Sequence, residues 1–276
     1  MKFRNKIIAS TLVAVLAAGG LAACGSFGKE EATTVETTTT SETTTEAAAS
    51  EKTKSAVTTE SSSAKTTSDS SSSKSSDELN ASEMGVAANA AKELNTGNKQ
   101  YLTGEADMNV SSDLREELTN GQKPHTVVIT CSDSRVPPEL IFNADLGELF
   151  TIRTAGNVVG DYEVGSVEYA VDHLGSQLVL VMGHSSCGAV GAAVEGHAEG
   201  NVASIVEEIV PSVKEAEKTE KTEDDIASKA EDLNVENTLA RLRESKVIKE
   251  LEESGKIKLV GAKYDIDTGK VSYFSE

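Results

Sequence analysis

The run Thr126-Val127-Val128-Ile129-Thr130-Cys131 is the strongest indication of the fold, because it has an unbroken apolar character and ends at a cysteine. An unbroken apolar run is typical of a parallel strand that helices cover on both faces. We predict strands at 126–130 and at two further runs of this kind, 149–153 and 178–182. Between the strands at 149–153 and 178–182, apolar residues recur at helical spacing, which predicts a helix at 162–174. The sequence therefore predicts an α/β domain with a mostly parallel central sheet flanked by helices.

The remaining elements fit the same class of fold. Further helices are predicted at 82–102, 113–118, 138–143, 207–232 and 235–251, and strands at 257–264 and 271–274. The two last strands enclose the turn residues Asp267-Thr268-Gly269, which indicates a closing hairpin. The acidic helical stretch 207–232 is interpreted as a solvated surface in preference to a specific docking site.

Composition excludes some classes of partner. The 276 residues carry a formal net charge of −19, so nucleic acid and an anionic membrane surface would both repel the protein as a whole. The chain has only three cysteines. An odd number cannot form a complete disulfide framework, so each cysteine needs its own explanation.

The N-terminus has the pattern of a secretory signal. Lys2, Arg4 and Lys6 precede an apolar run at 7–18 that is too short to span a bilayer stably. The ending Leu21-Ala22-Ala23-Cys24 resembles a bacterial lipobox, which implies a signal peptide at 1–23 and acyl chains such as palmitate on Cys24. Two or three chains anchor a protein stably, so we expect an extracytoplasmic lipoprotein on the bacterial cell membrane. An ordinary signal peptide with an incidental cysteine is the alternative.

A compositional boundary near residue 80 divides the rest of the chain. Between Thr33 and Ser76 the sequence is rich in Ser and Thr and has no aromatic residue, Leu or Ile. Such a segment cannot bury enough apolar surface to offset its conformational entropy. We therefore predict a disordered tether at 24–80 and a folded domain at 81–276.

The other two cysteines lie where an α/β sheet places its ligands. Cys131 follows the first predicted strand, and His184 and Cys187 follow the strand at 178–182. Loops beyond the carboxyl ends of parallel strands form the ligand crevice. Two thiolates and an imidazole suit zinc and leave a fourth position open, as in catalytic sites. A disulfide between the cysteines, a core histidine and plain apolar packing remain alternatives.

The residues around these ligands resemble the β-class carbonic anhydrases. The family signature is a Cys-x-Asp-x-Arg run and a later His-x-x-Cys run, and the chain has Cys131-Ser132-Asp133-Ser134-Arg135 and His184-Ser185-Ser186-Cys187. The likeness extends from about residue 90 to the end, through Gly97-Asn98, Gln122-Lys123-Pro124, 150–157, 165–170 and 234–269. It implies one zinc ion per chain and reversible hydration of CO2 to bicarbonate and a proton by zinc-bound hydroxide.

The resemblance also implies roles for individual residues. Arg135 would hold the Asp133 carboxylate through a bidentate pair, and Asp133 would accept a hydrogen bond beside the metal. In a closed state of the family the aspartate itself ligates zinc, and the sequence leaves the resting state open. An ion pair at a helix start is the structural alternative. The substrate-binding residues implied by the family are Gln122, Phe150, Ala155, Tyr169 and Gly188.

Two alternatives to CO2 hydration remain at the level of sequence. The same zinc site could act on carbonyl sulfide or carbon disulfide, or the chain could be a non-catalytic lipoprotein that binds bicarbonate or zinc. Family members are dimers or higher oligomers, which implies at least a homodimer here. His125, His173 and His197 are candidates for a proton shuttle, and nothing in the sequence selects among them.

Overall fold

The computed structural model describes residues 75–274 of the chain. The predicted signal peptide, Cys24 and the tether up to residue 74 lie outside the described residues. Within 75–274, none of the helices combines the length and the apolar character needed to cross a membrane. The described residues fold into helices around a single sheet.

Six strands form this sheet. They are β1 (Ser75–Ser76), β2 (Thr126–Cys131), β3 (Leu149–Thr154), β4 (Leu178–His184), β5 (Lys258–Tyr264) and β6 (Val271–Phe274). Their order across the sheet is β1-β6-β5-β4-β2-β3. The strands β5, β4, β2 and β3 are parallel to one another, whereas β6 is antiparallel to both β5 and β1. Every residue of β2 and β4 is buried, which confirms the strands expected from unbroken apolar runs.

Eight α-helices connect and cover the strands within residues 75–274. They are α1 (Ala88–Thr103), α2 (Ser112–Leu118), α3 (Pro138–Ile141), α4 (Asp161–Tyr169), α5 (Gly188–Glu195), α6 (Val202–Ala216), α7 (Glu223–Arg243) and α8 (Lys246–Glu253). A 3-10 turn, Gly85–Ala87, leads into α1, and a π-helical turn, Ala170–Leu174, extends α4. The predicted α/β class with a mostly parallel sheet is confirmed.

Alternation along the strands gives the sheet two apolar faces. Val128 of β2 packs on the face that α1 covers, in a cluster with Leu94 and Leu180. Val127 and Ile129 point to the opposite face, where α4, α7 and α8 pack. A third apolar cluster lies beyond the carboxyl ends of β2 and β4 and contains Cys131 and Cys187 together with residues of α5, α6 and α7. The two predicted cysteine ligands therefore lie at the edge of the core.

The structure corrects two sequence predictions. Part of the predicted tether is ordered, because Ser75–Ser76 pairs with β6, and Leu79 is buried and exchanges two hydrogen bonds with Asn95. The stretch 207–232 is not one solvated helical surface. It is divided between α6 and α7, where Thr222 caps the N-terminus of α7, and its residue Glu231 is buried.

Candidate metal centre

Sheet topology brings the three predicted metal ligands together. Cys131 is the last residue of β2 and His184 is the last residue of β4, and these two strands are parallel neighbours. Cys187 follows a two-residue turn and precedes the first residue of α5. The ligand atoms of the three side chains lie within 4.8 Å of one another, and all three residues are buried. The convergence follows from the rule that the carboxyl ends of parallel strands share one edge of a sheet.

The hydrogen bonds of His184 fit a metal ligand. Its Nδ1 lies 2.9 Å from the carbonyl oxygen of Ser185, and because a carbonyl only accepts, Nδ1 carries the proton. The neutral ring then has its lone pair on Nε2, which is buried and has no hydrogen-bond partner. A core histidine is expected to have both ring nitrogens satisfied, so the unpartnered Nε2 favours a cation beside it.

The two cysteines of the cluster are free thiols in this structure and do not form the disulfide considered above. The pKa of Cys131 is lowered from its usual range, chiefly by the neighbouring thiol of Cys187. Burial opposes this shift, whereas the backbone N–H of Gly156, 3.2 Å from the sulfur, adds to it. In return, the interaction with Cys131, together with burial, raises the pKa of the Cys187 thiol. A divalent cation between the sulfurs would stabilise both as thiolates.

Asp133 and Arg135 form a bidentate ion pair beside the cluster. Arg135 donates from Nε to one carboxylate oxygen of Asp133 at 3.0 Å and from Nη2 to the other at 2.7 Å, and its backbone N–H donates at 2.9 Å. These hydrogen bonds from Arg135 hold the pKa of Asp133 well below its usual range, although burial opposes the shift. Of the two states described for the family, the structure has the one in which the aspartate and the arginine are paired.

Sequence reasoning missed Arg153, which holds the loop that carries this pair. Arg153 donates from Nε to the carbonyl of Cys131 at 3.0 Å and from Nη2 to the carbonyl of Asp133 at 2.5 Å. It lies in β3, where the registered partner of Cys131 is the next residue, Thr154. The signal in the sequence that could have identified this residue is a cationic side chain near the end of an otherwise uncharged strand.

The predicted substrate residues fall into two groups. Ala155 precedes Gly156, whose N–H contacts the Cys131 sulfur, and Gly188 directly follows Cys187, so both lie next to the cluster. The other three do not join it within this chain. Gln122 is exposed and precedes the amino end of β2.

Phe150 and Tyr169 contact each other away from the metal ligands. Their ring centroids are 6.3 Å apart, and Phe150 is registered with Val127, four residues before Cys131. At about 3.3 Å per residue this separation is roughly 13 Å along the strand. The roles of all five substrate residues stay predictions.

Comparison with known proteins shows the family of this chain. The family model described as carbonic anhydrase matches residues 126–271. Carbonic anhydrase 2 of Mycobacterium tuberculosis is 38% identical over 188 residues, which cover 66% of this chain and 89% of that protein. The chain belongs to the carbonic anhydrase family, a family of enzymes, and its fold is that of the β class.

Solved structures support the class. The crystal structure of the β-carbonic anhydrase CafA of Aspergillus fumigatus is similar to this chain with a TM-score of 0.56 and 29% identity, covering 59% of this chain and 81% of that one. A structure from a study of two tetrameric β-carbonic anhydrases of Sordaria macrospora gives a TM-score of 0.53 at 26% identity, covering 58% and 84%.

Proposed function

We propose that this protein catalyses the reversible hydration of CO2 to bicarbonate and a proton, with one zinc ion held by Cys131, His184 and Cys187. One observation carries the proposal: a buried cluster of two sulfurs and an unpartnered imidazole nitrogen lies beside an aspartate that an arginine holds in the ionised state. Membership of the carbonic anhydrase family supports the same activity.

The residues of the cluster fit zinc in number and in kind. Sulfur and nitrogen donors suit this ion, and three protein ligands leave a position for water. When zinc is bound, it lowers the pKa of a water molecule towards neutrality, an effect best described for the three-histidine sites of other carbonic anhydrases. The chain supplies the rest of the site. The hydrogen bond from His184 Nδ1–H to the Ser185 carbonyl orients the imidazole, and the Gly156 N–H orients the Cys131 sulfur.

Asp133 has the geometry of a hydrogen-bond acceptor for the reacting water. Arg135 donates two hydrogen bonds to one carboxylate oxygen and one to the other, which keeps the group ionised and leaves one lone pair to accept from a water molecule. A fixed acceptor selects one orientation of the water and leaves an oxygen lone pair free for attack on CO2. Ala155 and Gly188, which lie next to the cluster, are proposed to contact the substrate.

The first prediction is that the zinc-loaded protein hydrates CO2 well above background at mildly alkaline pH. Asp133→Asn should lower kcat, because an amide cannot replace an ionised acceptor, while Asp113→Asn in the exposed first turn of α2 should not. Stopped-flow measurement of proton release from CO2 tests this. Absence of hydration in a protein with full zinc would refute the enzyme proposal, and consumption of carbonyl sulfide or carbon disulfide instead would reassign the substrate.

We further propose that the site is completed in a dimer or a larger oligomer. Gln122, Phe150 and Tyr169 lie away from the cluster of their own chain, and a second copy would give them a site to contact. Tyr169 is half exposed and Tyr162 of the same helix is almost fully exposed. Relatives from Sordaria macrospora are described as tetrameric. Sedimentation of the same zinc-loaded preparation as a monomer would contradict this part of the proposal.

The second prediction concerns the anchor. We propose that Cys24 is lipidated after removal of residues 1–23 and attaches the domain to the outer face of the bacterial cell membrane. The basic, apolar and small-residue pattern before Cys24 supports this. Wild-type protein should partition with membranes and incorporate labelled palmitate, and a Cys24→Ala variant should lose the label and be released. A Cys24→Ala protein that still partitions with membranes would refute the anchor.

A further inference from the structure

Glu231 of α7 is a buried carboxylate that contacts the backbone of the metal ligand Cys187. Its side chain is 5% exposed. One carboxylate oxygen accepts a hydrogen bond from the backbone N–H of Cys187 at 3.0 Å, and the other lies 2.8 Å from Lys263 Nζ. A buried carboxylate is costly unless both oxygens have partners, and here the partners come from two different elements. Glu231 therefore links α7 and β5 to the loop that carries a metal ligand.

Lys263 is a fixed cation for this carboxylate. It extends from β5, and its Nζ also lies 3.1 Å from Asp232 and donates to the backbone carbonyl of Ser228 at 3.0 Å. Burial alone would lower the pKa of Lys263, but Asp232 and Glu231 more than offset this effect, so its pKa is raised and the ammonium group stays charged. Lys263 is thus held at several points and in turn restrains Glu231.

Close helix packing brings Glu231 within reach of the loop. A Cβ atom added at Gly183 of β4 would lie 2.8 Å from Val235 of α7, and one added at Gly261 of β5 would lie 3.0 Å from the same side chain. Glycine at these two positions lets α7 lie directly on the sheet. Because Val235 is one helical turn after Glu231, the same close approach places the Glu231 carboxylate beside Cys187.

The loop needs such support because its backbone is not relaxed. Ser186 has φ +56°, a left-handed conformation that residues other than glycine adopt rarely. Cys187, the next residue, precedes α5 as its N-cap and has no side-chain capping bond. The hydrogen bond from its N–H to Glu231 is therefore a restraint on the direction of the Cys187 side chain.

We propose that Glu231, anchored by Lys263, is a positioning residue for the metal centre: it fixes the backbone of Cys187 and so directs that sulfur to the ion. The proposal rests on the zinc site of the proposed function and is independent of the substrate. Groups that hydrogen-bond to metal ligands typically contribute 10- to 100-fold to metal affinity, so we expect loss of Glu231 to weaken zinc binding by about that factor.

The third prediction compares Glu231→Leu, Glu231→Gln and Lys263→Met by chelator competition for zinc and by the absorption spectrum of the cobalt-substituted protein. Glu231→Leu should weaken zinc binding about 10- to 100-fold and change the sulfur-to-cobalt charge-transfer bands. Glu231→Gln should restore most of both, because its amide oxygen can accept from the Cys187 N–H. Lys263→Met should weaken zinc binding as well, because it leaves the carboxylate without its cation.

A matched control separates positioning from stability. Glu252→Leu removes the ion pair with Arg243 that joins α7 to α8, and it should lower the unfolding temperature without changing zinc affinity or the cobalt spectrum. Wild-type affinity and an unchanged spectrum in Glu231→Leu would overturn the proposal. If Glu231→Leu does not fold, wild-type affinity in Lys263→Met overturns it. Loss of zinc affinity in a protein whose wild type does not hydrate CO2 would refute the proposed function alone.

Discussion

Replacing Cys131 with serine is expected to remove zinc from the protein and to abolish CO2 hydration. The Cys131 sulfur lies within 4.8 Å of the other two ligand atoms, and a serine hydroxyl is a poor ligand for zinc at neutral pH. Without the metal no water is activated for attack, so hydration should fall to within roughly an order of magnitude of the uncatalysed rate. Metal analysis and stopped-flow hydration measure the two effects.

The fold should survive this change. Cysteine and serine differ little in size, and the hydroxyl oxygen can still accept the hydrogen bond from the Gly156 N–H. Circular dichroism of the variant checks the fold, and Cys24→Ser, which changes the third cysteine, is the matched control that should keep one zinc per chain. One zinc per chain in Cys131→Ser, together with wild-type hydration, would contradict the assignment of the metal ligands.

The metal ligands and the Asp133–Arg135 pair could be predicted because their positions depend on short-range rules. The apolar runs predicted the strands, and the residues that follow parallel strands lie together at the carboxyl edge of the sheet. Cys131 and His184 end neighbouring strands in the structure, as this rule requires. Asp133 and Arg135 are two residues apart, so their ion pair needs only one local turn.

The supporting residues could not be predicted because they come from distant parts of the chain. Arg153 reaches Cys131 across 22 positions, and Glu231 reaches Cys187 across 44. Glu231 also lies in an acidic stretch whose composition indicates a solvated surface, but it is buried where α7 approaches the sheet closely at Gly183 and Gly261. Burial in this case depends on packing between elements, which hydrophobic periodicity does not encode.

Gln122, Phe150 and Tyr169 mark another limit of sequence reasoning. The family resemblance assigns them to the substrate site, but Gln122 precedes the opposite end of β2 from Cys131, and Phe150, which contacts Tyr169, is registered with Val127, four residues before Cys131. Under the proposed dimer their assignment would depend on a second copy of the chain, and oligomeric contacts leave no periodic signal in a single sequence. The proposed dimer and the proposed substrate contacts are therefore tested together.

Arg135→Ala is expected to lower CO2 hydration about 100-fold while the protein keeps its zinc, a combination that no loss of a metal ligand would give. The two guanidinium bonds hold the Asp133 carboxylate in its paired orientation. Without them the carboxylate is free to turn towards the ligand cluster and to occupy the position that water needs. Arg135→Lys should give an intermediate loss, because an ammonium group cannot form the bidentate pair. Arg115→Ala, an exposed arginine of α2, is the control.

A double-variant cycle then separates this mechanism from simple loss of a charge. If Arg135 acts by holding Asp133 away from the ligand cluster, Asp133→Asn added to Arg135→Ala should lower hydration little further, or restore part of it, since the competing carboxylate is gone. Two effects that multiply would show that the residues act independently. The cobalt-substituted Arg135→Ala protein gives a direct readout, because entry of the carboxylate changes its ligand-field bands and Asp133→Asn should abolish that change. Wild-type hydration in Arg135→Ala would show that the pair has no part in the reaction.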